Sequence, residues 1–74
     1  MDKSNKDYWE KYKYYGEVKH GINRAYIIMK KSDQRTKQKV EILLDKLEME
    51  LVKNDLSKVK RAGEELTDLL MELI

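Results

Sequence analysis

Apolar residues in the last third of the chain recur at steps of three and four: Leu56, Val59, Gly63, Leu66, Leu70 and Leu73, with Ala62 and Leu69 widening the stripe. That period fits one face of an α-helix and has no use in a strand. It predicts a helix over 56–73, capped at its start by Asp55, whose carboxylate can accept from free backbone N–H groups. Val40, Leu44, Leu47 and Leu51, with Leu43 beside them, predict a second helix over 34–53. Ser32 and Asp33 are its candidate N-caps, and Asn54 can take the left-handed conformation that ends it. Only Asn54 and Asp55 separate the two helices, and so short a link makes them antiparallel neighbours.

The first third carries a less regular stripe: Tyr8, Tyr12, Tyr15, Val18, Ile22, Ala25 and Met29, widened by Tyr26. It predicts one long helix over 6–31, in which Gly16 and Gly21 each cost about 1 kcal/mol relative to alanine. The expected fold is all-α, a three-helix bundle in which this helix packs on the hairpin. At 1.5 Å per residue the first helix would span roughly 39 Å and its partners roughly 27–30 Å. The connection at residues 31–33 leaves its N-terminal end free. The sequence therefore predicts an overhang carrying Tyr8, Trp9 and Tyr12.

Composition narrows the picture. Seventy-four residues make one small domain, and a domain of that size buries only about 60% of its unfolded surface, so a partner or self-association would help it. Cysteine is absent, which excludes disulfides and thiolate metal sites. No signal peptide or membrane-length apolar run is present, so the expectation is a soluble, cytoplasmic protein with no membrane partner. Charged residues make up 41% of the chain for a net charge of +2. Residues 1–31 hold eight Lys/Arg against four Asp/Glu, and residues 32–74 hold eight against ten. The lysines of the basic part are spread around the segment, which ordinary solubility explains better than nucleic-acid binding.

Little in the chain suits catalysis. The one histidine, His20, has no carboxylate stripe beside it. Ser4, Ser32 and Ser57 fall near helix starts, where capping accounts for them. Glu64, Glu65, Asp68 and Glu72 lack the inward Glu-x-x-His motifs of a helical di-metal site, and no glycine-rich phosphate loop occurs. The expectation is a non-enzymatic protein without cofactor or metal. Gly63, on the apolar seam in mid-helix, calls for a close neighbour, with Tyr26 or Met29 of the first helix as candidates. Tyr and Trp dominate binding hot spots, which makes Tyr8, Trp9 and Tyr12 on the overhang candidate partner-binding residues. Ile42, Met49 and Val52 form a second apolar stripe facing away from the seam, also a candidate contact surface.

The stretch from Lys37 to Ile74 resembles the C-terminal helical lid of the seventy-kilodalton heat-shock chaperones. The matching pieces are Lys39-Val40-Glu41, the Asn54-Asp55 turn, and Val59-Lys60-Arg61-Ala62-Gly63-Glu64-Glu65-Leu66. Residues 22–36 are compatible with the end of the long lid helix that precedes this hairpin in the family. The resemblance implies action by protein–protein contact within or beside a chaperone system. No nucleotide-binding or peptide-binding residue carries over. On this reading the aromatic end docks on an apolar surface and the hairpin is its rigid base. A self-associating bundle is the alternative, and a small basic nucleic-acid-binding regulator a more distant one.

Overall fold

The computed structural model describes residues 6–73, and every regular element among them is helical. There are four helices in chain order: α1 (Lys6–Glu10), α2 (Tyr15–Lys30), α3 (Gln34–Lys53) and α4 (Leu56–Glu72). The hairpin of α3 and α4 is built from local signals. Asp33 accepts from the Thr36 N–H at 2.9 Å and Asp55 from the Lys58 N–H at 3.3 Å, each satisfying one of the donors a helix start leaves free. Ser32, the other candidate cap, instead donates to the Ile28 carbonyl at 2.6 Å and closes the end of α2. Asn54 ends α3 at φ 57° and ψ 35°, the left-handed region, and Asp55 opens α4 directly after it.

The α3 and α4 faces pack against each other, and α2 lies against both. Their stripes meet in one core: Val18, Ile22 and Ala25 from α2, Val40, Leu44, Leu47 and Leu51 from α3, and Val59, Ala62, Leu66 and Leu70 from α4. No polar or charged residue among those described is buried. Gly63 lies where α4 crosses α2. A methyl group added there would stand 2.8 Å from Val18 Cγ1, so the missing side chain sets how closely the two helices approach. The close neighbour is Val18, not Tyr26 or Met29.

The long first helix expected over 6–31 is two helices. The chain turns at residues 11–14, where the Tyr12 N–H donates to the Trp9 carbonyl, Tyr15 to Tyr12 and Glu17 to Tyr14, all shorter-range than the α-helical pattern. Tyr14, before α2, makes no side-chain cap bond. No proline forces this bend. Its cause is burial: folding α1 back puts Trp9 in the core at 1% exposure. A buried tryptophan removes 150–250 Å² from water, worth about 4–6 kcal/mol. The few helical bonds exchanged for turn bonds cost about 1 kcal/mol each at most. The predicted overhang, with its free aromatic end of Tyr8, Trp9 and Tyr12, is therefore absent.

Candidate functional site

Two apolar or aromatic regions of the chain carry the candidate contact residues, and the fold treats them differently. Around α1, Trp9 is core. Tyr8 meets its ring edge-on at 5.5 Å between centroids, and Tyr12 lies at 6.2 Å. Both tyrosines are half-buried and both hydroxyls donate to one oxygen of Glu48 on α3, at 2.5 Å from Tyr8 and 2.6 Å from Tyr12. The Lys11 ammonium stands 4.2 Å from the Tyr8 ring centre and 5.2 Å from that of Tyr12. This places a cation over two electron-rich faces. Burial, then the Glu48 carboxylate, hold the Tyr12 hydroxyl well above the usual phenol range. Burial, with help from Glu10, raises Tyr15 as well. These groups form a latch that fastens α1 to the middle of α3.

The outer face of α3 is the second region. Ile42, Met49 and Val52 are exposed at 66%, 60% and 60%, on the side of the helix opposite the buried Val40, Leu44, Leu47 and Leu51. Ile42 and Met49 are seven residues apart and Val52 follows three later, so the three share one stripe. Lys39, Lys46 and Lys53 repeat every seven residues along one edge of it, and Glu41 and Glu48 along the other. Asp45 sits inside the stripe, between Ile42 and Met49. Lys46 also reaches Glu65 of α4 at 3.0 Å, and Lys53 reaches the partly buried Glu50 at 3.6 Å.

Glu48 joins the two regions. It lies one turn before Val52, and residues four apart are neighbours on a helix surface. The fold thus brings Tyr8 and Tyr12 beside the Val52 and Met49 end of the stripe, with Ile42 farther along and Trp9 enclosed. Sequence reasoning missed Glu48, and no local signal marks it, since its partners are 36 and 40 residues away. It also passed over Ile27 and Met71, which are 56% and 63% exposed. His20 is exposed beside Arg24 and Thr67 in a shallow groove between α2 and α4. Glu64 and Asp68 line a neighbouring groove with Glu17 and Lys60, a mixed-charge rim around the Gly63 crossing.

Among the described residues no three His, Cys, Asp or Glu side chains come together closely enough to hold a metal ion. No helix among them is long and apolar enough to cross a membrane. The chain matches no family model, no curated protein and no solved structure.

Proposed function

We propose that this chain is a non-enzymatic helical interaction module that binds a protein partner through the outer face of α3. The observation that carries this reading is the stripe of Ile42, Met49 and Val52, three large apolar side chains held more than half exposed on a rigid, doubly capped hairpin. Apolar groups clustered on a surface mark association sites, and an amphipathic helix laid along such a stripe is a common mode of recognition.

The charged edges favour a partner other than a second copy on this face. Pairing two α3 helices in parallel would set Glu41 and Glu48 against lysines of the other copy, but would also stack Asp45 on its own equivalent inside the seam. Pairing them antiparallel would set lysine row against lysine row and glutamate against glutamate. Like charges cost free energy either way. A heterologous helix with a basic or neutral polar residue opposite Asp45 and acidic residues along the lysine edge avoids both penalties. The chaperone-lid reading is the narrower form of this proposal. It rests on residues 37–74 alone, because the long free helix of that family's lid has no counterpart in α1 and α2.

The test compares the chain with an Ile42→Ser/Met49→Ser/Val52→Ser variant as bait for proteins cross-linked in its own cells. Exposed positions tolerate such changes within about 0.5 kcal/mol each, so the triple variant should stay folded, with stability changed by no more than about 1.5 kcal/mol. Loss of a captured protein by a variant that still melts cooperatively supports the proposal. Capture that survives all three substitutions overturns it.

A further inference from the structure

We infer that α1 is an exchangeable arm, and that two copies of this chain form a domain-swapped dimer in which each inserts its Trp9 into the other's core. The inference stands on residues 6–16 and Glu48 and does not depend on the outer face of α3.

Two demands on α1 pull against each other in the monomer. The apolar stripe runs at helical spacing straight through the bend, from Tyr8 to Tyr12, Tyr15, Val18 and Ile22. Yet the chain breaks its helix at residues 11–14, without proline and without a capping side chain, and bridges the gap with short-range turn bonds. Local preference favours a continuous helix over 6–30, and the core demands Trp9. A single copy cannot have both. Two copies can, because a straightened α1 projects beyond its own bundle and offers Trp9 to the vacant slot of a partner.

The attachments of the arm suit such an exchange. The α1 backbone lies beside α2 alone among the helices, joined to it directly through the bend. It is also held through side chains, among them Trp9 in the core and Tyr8 donating to Glu48, with Tyr12 of the bend donating to the same carboxylate. The Trp9 and Tyr8 contacts travel with α1 to a second copy, whereas the Tyr12 bond to Glu48, made from the bend itself, is remade or given up. The exchange adds the helical bonds missing at residues 11–14. Gly16 opposes it: second in α2 now, it would lie inside the straightened helix, where glycine is most costly. Nothing stands within 4 Å of a methyl group added at Gly16, so alanine is sterically free in the closed monomer.

The experiment follows mass and tryptophan emission together, Trp9 being the one tryptophan of the chain. Each protein is refolded at about 1 mM, where mass action favours association, and then sized by sedimentation after dilution. Gly16→Ala should raise the dimer fraction about five-fold, since alanine gains more inside the straightened helix than in the first turn of α2, and about 0.5 kcal/mol from each of two chains converts to that factor. A chain lacking residues 11–14, in which α1 runs straight into α2 with its register shifted by only about 40°, should be mainly dimeric with Trp9 emission still that of a buried indole. Adding Trp9→Ala to the shortened chain should return it to monomer. Ile42→Ser/Met49→Ser should leave all these results unchanged. A folded, monomeric shortened chain overturns the inference, as does a dimer with solvent-exposed Trp9 or one abolished by the Ile42 and Met49 changes. If the shortened chain does not fold, Gly16→Ala decides alone, and an unchanged dimer fraction refutes the swap.

Discussion

Replacing Gly63 with alanine adds one methyl group where α4 crosses α2, and that group lands 2.8 Å from Val18 Cγ1 and 3.7 Å from its Cβ. Helix propensity alone favours the change by about 1 kcal/mol. Against it stands a contact well inside van der Waals distance. Val18 is buried, and a β-branched side chain in a helix has essentially one rotamer, so it cannot swing aside. Overpacking of this kind costs about 1–3 kcal/mol. The net expectation for Gly63→Ala is a loss of up to about 2 kcal/mol, or about 4–8 °C in melting temperature for each kcal/mol. Gly21→Ala is the control. A methyl group there meets Thr67 Oγ1 at 3.6 Å and Leu66 Cδ2 at 3.9 Å, ordinary contacts, so the propensity gain survives and the melt should rise. Pairing Gly63→Ala with Val18→Ala removes the clash and fills part of the space. The double variant should be less destabilised than the sum of the two by about 1–2 kcal/mol, read from urea melts. A rise in stability for Gly63→Ala matching that for Gly21→Ala would refute the close-packing account. Additivity within about 0.5 kcal/mol would refute the assignment to Val18.

Trp9→Ala should cost about 3–5 kcal/mol in a chemical melt, a large share of the roughly 4–11 kcal/mol typical of a domain this size; an unchanged melt would place Trp9 outside the core. Alkaline pH should unfold the protein through Tyr12. Its folded pKa is raised above the unfolded value of about 10, so its contribution is fully present below pH ~10 and is lost as pH climbs toward the folded value. Tyr12→Phe should flatten that part of the stability profile, and a profile identical to that of the unsubstituted chain would remove Tyr12 as its source.

Much of the hairpin was legible because its determinants are local. Asp33, Asn54 and Asp55 act on backbone groups within three residues, and the leucine stripes of α3 and α4 depend only on a period of 3.6. The Ile42, Met49 and Val52 stripe was visible for the same reason, since a residue opposite the buried face of a helix is exposed in any packing of that face. Gly63 announced a close approach without naming its neighbour.

The N-terminal third shows where that kind of reading stops. Its stripe is compatible with a continuous helix, and by period and propensity the sequence determines no more than that. The bend at residues 11–14 was decided by tertiary structure, because the free energy that favours it lies in burying Trp9 among side chains distant in the sequence. Glu48 belongs to the same category: as a carboxylate on a helix it reads as a solvated residue, and only the folding back of α1 makes it the shared acceptor for Tyr8 and Tyr12. Hydrophobic burial is non-directional and acts across any separation in the chain, whereas capping and periodicity act within a turn. Short-range effects therefore set α3, α4 and their joint from the residues themselves, while the position of the aromatic segment waited on a slot in the core that those residues do not encode locally.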